Sequence, residues 1–582
     1  MAPGFKVAAP ARPGFLRPHI GSAGLAALTA LALTLVYNNR FWSELIRLRA
    51  PLDARDVIFL GSVSLILFST LNLLLTAFAW PWLQKPITVL MLIASTLVGH
   101  FMASYGVVID STMMQNVFES DPGEVRELIG GSLIARLLLL GAIPSLLVLA
   151  VRIRRRPWLG ELKRKLAVVA GSLAALLLLT GVMYADYASF FPDHRVLGQL
   201  ATPINALYAT QKFLRKSARP AAGTIEPLGL DATLSAAALR RKRPTLIVLV
   251  VGETARAEQF SLNCYWRETD PVLSREPVIS FADVSACGTS TAISLPCMFS
   301  PLGRAGYDSR AARGQEGLLD VLKHAGVQVL WRDNNSGCKG TCDRVEYERS
   351  PVFAAPELCR SGECFDEALL SGLDERIDRF DGPTVIVLHQ QGSHGPAYHK
   401  RYPDSFRRFL PDCVVAELQA CTPDEVVNAY DNTILYTDWF LGQVLDLLRR
   451  HDERFDAAML YVSDHGESLG DGNLYLHGLP YAIAPEQQRK VPMILWISPG
   501  LEAAAGLARS CLEQARETPL SHDNLFHSVL GLMSVKTSVY TPRLDLFAAC
   551  RNAPAASDRP AALGSSQPSF STNISRIHTT AR

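Results

Sequence analysis

The sequence predicts two unlike parts in one chain: an α-helical domain of five membrane spans, then an α/β domain whose largely parallel sheet is sandwiched by helices. Three observations predict it. Long apolar runs dominate the first 190 residues. From residue 244 onward, short apolar runs alternate with amphipathic ones. All eleven cysteines fall at or after position 264, so none lies in the apolar part. The chain has 582 residues, enough for two or three domains, and its formal net charge of +2 gives no electrostatic case for binding nucleic acid.

Crossing a bilayer takes about 20 apolar residues in a helix. Runs near 20–37, 57–79, 86–108, 131–151 and 166–185 meet or approach that length. Five in series with short polar connections are spans rather than core helices, and a cleaved signal peptide would explain only the first. Basic residues in short loops set orientation. The loop after the fourth run carries Arg152, Arg154, Arg155, Arg156, Lys163, Arg164 and Lys165 and is expected in the cytoplasm, as is the N-terminal tail with Lys6, Arg12 and Arg17. The acidic loop with Asp110, Glu119, Asp121, Glu124 and Glu127 suits the outside, while Arg40, Arg47, Arg49 and Arg55 between the first two runs dissent. Five spans with the N-terminus inside put everything after residue 186 outside the cytoplasm.

The expected domains are 1–186 for the spans, 187–243 for a connector, 244–551 for the exported domain and 552–582 for a disordered tail. Within the connector, TPINALYATQKFL (202–214) is amphipathic and fits either a helix on the membrane surface or an ordinary packing helix. TLIVLVV (245–251), VQVLW (327–331), TVIVL (384–388) and AAMLYV (457–462) read as buried strands, with helices at 316–326 and 426–450. Apolar strands alternating with helices build a parallel sheet covered on both faces. In an exported domain, the close pairs Cys287/Cys297, Cys338/Cys342, Cys359/Cys364 and Cys413/Cys421 read as local disulfides, with zinc clustering the competing reading at 338/342 and 359/364. If Cys511 and Cys550 also pair, Cys264 is left as a free thiol.

Ligands of an open parallel sheet bind at the carboxyl ends of its strands. Here Glu253 follows the first strand, Asp333, Asn334 and Asn335 the second, His389 and His394 the third, and Asp464, His465 and Glu467 the fourth. Any one could be a helix cap or a turn; four strands delivering acids, amides and imidazoles to one edge make a site. Glu253, Asp464 and His465 form a donor set suited to zinc with a position left open. His394 and His477 could supply a second metal or grip an anion, and Lys339 could meet a phosphate. The stretch CGTSTAISLPC (287–297) holds its hydroxyls between two cysteines. A threonine there could be a metal-activated nucleophile at a helix N-terminus, or the segment could be a stapled turn.

Taken together, VVGETARAEQFSLN, SACGTSTAISLPCMFS, WRDNNSGCKG, HQQGSHGPAY and YVSDHGESLGDGNLYLHG resemble the lipid A-modifying phosphoethanolamine transferases, the group that holds the mobile colistin-resistance enzymes. The resemblance covers roughly 20–550 and implies an alkaline phosphatase/sulfatase-like fold. It implies Thr291 as nucleophile, rather than Thr289, and Glu253, Thr291, Asp464 and His465 as zinc ligands. Asn335, Lys339, His394, Glu467 and His477 would bind the phosphoethanolamine group or a second zinc. Phosphatidylethanolamine would be the donor and a lipid A phosphate the acceptor, through a phospho-threonine, in a monomer of the Gram-negative inner membrane with its catalytic domain in the periplasm. Adding the cationic ethanolamine would weaken polymyxin binding. Transfer to a core sugar or a periplasmic glucan, or a membrane-anchored phosphodiesterase, are the alternatives; no formylglycine-type C/S-x-P-x-R motif stands at the cluster to favour a sulfatase. The chain departs from the family pattern at Cys264, where glycine is usual.

Overall fold

The computed structural model describes residues 19–120, 122–154, 157–194, 196–217, 225–360 and 362–551. The expected tail, and the ARPAAGT stretch at 218–224, lie outside them. The apolar part forms α1 (Ser22–Leu35), α2 (Asn39–Arg49), α3 (Ala54–Ala77), α4 (Gln84–Tyr105), two short helices α5 (Ser111–Glu119) and α6 (Pro122–Glu127), α7 (Gly131–Ala150) and α8 (Trp158–Val182). Among the described residues α3, α4, α7 and α8 are long and apolar enough to cross a membrane. The first expected span is shorter, 14 residues, and the difference has a local cause. The side-chain amide of Asn38 donates to the Leu33 carbonyl (2.8 Å) and to Thr202 (2.7 Å), ending α1 and turning the chain into the amphipathic α2. Three of the four dissenting arginines are paired: Arg47 with Glu44, Arg49 with Asp56 and Arg55 with Asp186. The amphipathic stretch of the connector is α9 (Ile204–Ser217), whose Phe213 stacks on Phe118 of α5.

The second part is built on a seven-stranded sheet: β1 (Thr245–Gly252), β2 (Ile279–Phe281), β3 (Gln328–Asp333), β4 (Glu346–Arg349), β5 (Thr384–His389), β6 (Asp456–Ser463) and β7 (Met493–Ile497), in the order β2-β7-β6-β1-β5-β3-β4. The pairs β6/β1, β1/β5, β5/β3 and β3/β4 are parallel, whereas β7 runs antiparallel to both its neighbours. Every residue of β1 is buried. Side chains alternate along a strand, so Leu246, Val248 and Val250 enter one core and Ile247, Leu249 and Val251 the other. Each such burial stabilises the fold by about 1.5–3 kcal/mol. The first core is closed by α12 (Pro423–Arg450), the second by α11 (Leu318–His324); the remaining helix that matters here is α10 (Thr291–Met298). Helix α12 starts three residues earlier than the hydrophobic pattern suggests. Thr422 caps it in a reciprocal box with Glu425, and Pro423 takes its first position.

The two parts meet over an apolar seam. Leu474, Tyr475, Leu476, Leu479 and Ala484, from the segment after β6, join the same cluster as Tyr105, Val107 and Val108 at the end of α4. All four expected cysteine pairs are disulfides, as is Cys511–Cys550. Sulfurs joined in this way cannot be thiolate ligands, which removes zinc clustering at 338/342 and 359/364. Cys264 is exposed and free, and its φ of +72° is the left-handed geometry that glycine adopts without strain.

Candidate active site

Strand register lines up the edge. Ser463 pairs with Gly252, His389 with Val251, and Asp333 with His389, so the residues that follow leave the sheet at one level. Glu253, Asp464 and His465 emerge side by side, all fully buried. The loop after β5 folds back over them: Ser393 N–H donates to the Glu253 carbonyl (3.0 Å). Gly392 sits there at φ +56°, where a β-carbon would press into the Glu253 backbone.

Thr291 opens α10. Its hydroxyl lies 3.1 and 3.0 Å from the two Glu253 oxygens and 3.4 Å from His465 Nε2. His465 Nε2 is in turn 3.3 Å from Glu253 and 3.4 Å from Asp464. Asn335 donates to Glu253 (2.9 Å) and to the Gln390 carbonyl (2.8 Å). Thr289 is elsewhere, donating to the Leu479 carbonyl (2.6 Å). The Cys287–Cys297 bond closes the loop that carries Thr291, and two buried groups fasten that loop to β6. Ser294 donates to the Asp464 carbonyl, while His522 accepts from Cys287 N–H (3.0 Å) and reaches the Ser463 carbonyl (2.9 Å).

The donor set fits a divalent cation. His465 Nδ1 lies 2.9 Å from the Gly466 carbonyl, an acceptor that would keep a proton on Nδ1 and free Nε2 as a ligand were a cation to replace the second proton. Asp464 Oδ2 is buried without a hydrogen-bond partner. Burial and then the Glu253 charge push Asp464 up to about 6; burial opposes but the two carboxylates outweigh it in raising His465 to about 10. Glu253 is held low, its burial outweighed by His465. In protein terms, two buried carboxylates hold a positive charge between them, the place a metal ion would take.

Around this centre stand the other expected residues. Burial holds His394 down to about 3, so it is neutral. Its ring lies 5.5 Å from that of His477, which is 4.4 Å from that of His465. Lys339 donates to Ser336 Oγ (2.9 Å) and to the Glu119 carbonyl (3.3 Å). Glu467 does not face the cleft; it is fully buried behind His477, 3.4 Å from its Nδ1. The cleft in front of Thr291 is lined by Lys339, His394 and His477 on one side and by Asn116, Glu119, Ser120 and Glu124 of the α5–α6 region on the other. Those four residues and His522 were not singled out from sequence as parts of the site, whereas Asp333 and His389, both expected at this edge, pair with each other at 3.0 Å. Only the acidic character of 110–127 hinted at the first group, and nothing marked His522.

A mixed sheet of this order, with an acid–imidazole–hydroxyl cluster at its carboxyl edge and an apolar helical part ahead of it, defines a membrane-associated protein of the alkaline phosphatase/sulfatase fold. The sulfatase family model matches residues 245–535, and the model described as "Phosphoethanolamine transferase EptA/EptB" matches 67–218. The chain is 38% identical over 540 residues to phosphoethanolamine transferase EptA of Escherichia coli K12, covering 92% of this chain and 98% of that one. It is 38% identical over 522 residues to the phosphatidylethanolamine transferase Mcr-1 of Escherichia coli, covering 88% and 94%. The structure of the lipooligosaccharide phosphoethanolamine transferase A (EptA) of Neisseria meningitidis superposes with a TM-score of 0.88 at 36% identity, covering 92% of this chain and all of that one. This chain belongs to the phosphoethanolamine transferase family, as its motifs implied.

Proposed function

We propose that the chain transfers phosphoethanolamine from phosphatidylethanolamine to a phosphate of lipid A. The observation that carries this reading is the Thr291 hydroxyl at the start of α10, within 3.1 Å of Glu253 and 3.4 Å of His465, beside the unpartnered Asp464 oxygen. Glu253, Asp464, His465 and Thr291 would hold zinc, which would supply the Lewis acidity that stabilises a threonine alkoxide. In the first half-reaction Thr291 Oγ1 bonds to phosphorus, the bond from phosphorus to the diacylglycerol oxygen breaks, and diacylglycerol leaves with a proton. In the second, a lipid A phosphate oxygen bonds to that phosphorus, the bond from phosphorus to Thr291 Oγ1 breaks, and Oγ1 takes up the proton that the acceptor phosphate gives up. The first N–H groups of α10 face the phosphoryl oxygens. Lys339 offsets their charge, and Asn335 orients Glu253. His394 and His477 flank the group or hold a second zinc; Glu467 acts on it only by orienting His477.

The membrane part supports the reading because both substrates are lipids and the cleft opens between the sheet domain and α5–α6. With the 14-residue α1 crossing alongside the four longer helices, and with a cytoplasmic N-terminus, the cleft would lie on the periplasmic side of a Gram-negative inner membrane. The added cationic ethanolamine reduces the negative surface that polymyxins bind. The test is mass spectrometry of lipid A from a host lacking such activity, expressing wild type or Thr291→Ala. A phosphoethanolamine adduct with wild type alone is expected; its persistence in the variant would sink the nucleophile assignment, and its absence from both would sink the acceptor.

A further inference from the structure

The Cys413–Cys421 disulfide closes a loop that leaves apolar side chains in the open beside the ends of two membrane helices. We propose that this loop, together with the stretch from Leu410 that leads into it, is a bilayer anchor for the catalytic domain, with Leu410, Val414 and Val415 seated among the lipid headgroups and upper acyl chains. The inference rests on α4 and α7 lying in a membrane and is independent of the chemistry at Thr291.

Three observations support it. Leu410 is 60% exposed, Val414 53% and Val415 38%, in a segment that otherwise has firm roots. Leu418 is buried in the core under α12, Cys413 N–H donates to the Glu425 carbonyl (2.9 Å), and Asn428 donates to the Pro411 carbonyl (2.7 Å). The exposed residues are thus held out by a braced loop. Its level is fixed by two contacts with the membrane part. The Gln419 amide donates to the carbonyl of Ser104, one residue before α4 ends. The Glu417 carboxylate lies against Gly130, the residue before α7 begins, closely enough that a β-carbon there would collide with it. The ends of spanning helices mark where hydrocarbon gives way to headgroups. A loop touching two of them lies at that boundary. Its composition suits the position: Phe409 beside Arg407 and Arg408, whose charges pair with Asp412 and Glu268. Aromatic and basic residues flanking aliphatic ones are the make-up of interfacial segments. Lipid already surrounds the helices at this height, whereas a protein partner would have to displace it.

The experiment uses the full chain in nanodiscs of phosphatidylethanolamine and phosphatidylglycerol. A photoreactive benzoylphenylalanine replaces Leu410, Val414 or Val415 in turn, with Leu239 as control. Leu239 is 69% exposed and precedes the N-terminal end of β1, at the opposite edge of the sheet. Lipid adducts about tenfold above the control are expected at all three positions if the loop sits in the interface. Adduct yields no higher than at Leu239 would overturn the proposal, and so would crosslinks to a second copy or another protein in place of lipid. As a second probe, Leu410→Cys in a Cys264→Ser background carries a nitroxide. Greater accessibility to oxygen than to a water-soluble nickel chelate is expected; the reverse overturns the anchor.

Discussion

Replacing Glu127 with glutamine should loosen the grip of the membrane part on the catalytic loop. Glu127 comes from α6, yet its carboxylate is buried against the sheet domain. One oxygen takes the Arg401 guanidinium at 2.5 Å and the other takes Lys400 at 3.1 Å. Arg401, with its side chain 2% exposed, also donates to the His394 carbonyl (2.8 Å) and to Glu363 (3.0 Å). One ion network therefore ties α6 to the loop bearing His394. Removing one partner of a buried pair costs about 3–5 kcal/mol when the survivor is stranded. Arg401 keeps two acceptors, so the lower end applies with a further discount, to about 2 kcal/mol. The Lys400 contact is half exposed and adds less than about 1 kcal/mol. A docking loss of about 2–3 kcal/mol is a factor of roughly 30–150 in the docked-to-undocked ratio. Hydrogen exchange of the α6 amides in nanodiscs reads it directly, and a double-mutant cycle with Arg401→Gln isolates the pair. A coupling under about 0.5 kcal/mol would refute the reasoning and make this an ordinary surface pair.

The share of stability that comes from Asp270 and Asp438 should fall as pH rises from 5 to 8, because both are buried and held up to about 8 and about 7. Their folded values exceed the unfolded ones, so the folded state binds the extra protons and loses up to about 1.4 kcal/mol per pH unit for each group while it titrates. Asp270→Asn should flatten that slope in thermal melts; an unchanged slope would refute it. A chelator should lower the melting temperature of purified protein, since Glu253 and Asp464 lose their shared cation, and zinc should restore it; an unchanged melt speaks against a resident metal. Cys264→Gly should leave activity intact and raise stability by about 0.5–1 kcal/mol, since φ +72° costs a cysteine what it does not cost glycine. A destabilised variant would show the thiol has an unseen partner.

What the sequence disclosed about the fold follows from period and run length. β1 is six apolar residues buried on both faces, a run of strand length and too short for a core helix. Glu253, Asp464 and Asn335 were legible because each lies within two residues of the end of such a strand. His522 was not, because it meets Cys287 across 235 positions of chain and sits in no recognisable run. Glu127 was visible only as one acid among several. Its burial depends on Arg401, 274 residues away, and no local rule predicts that pairing. The early turn after α1 was missed for the same reason, since Asn38 answers to Thr202.

The cleft before Thr291 has one wall from the sheet domain and one from α5–α6. Anyone screening inhibitors against a fragment that starts at the connector would present compounds with half a receptor. Asn116, Glu119, Ser120 and Glu124 would be missing from it. Hits would be ranked on the Thr291, Glu253, Asp464 and His465 cluster alone, and the chemical features that distinguish this cleft from other hydrolase-type centres would go unselected. The full chain in lipid is the target that carries its own selectivity filter.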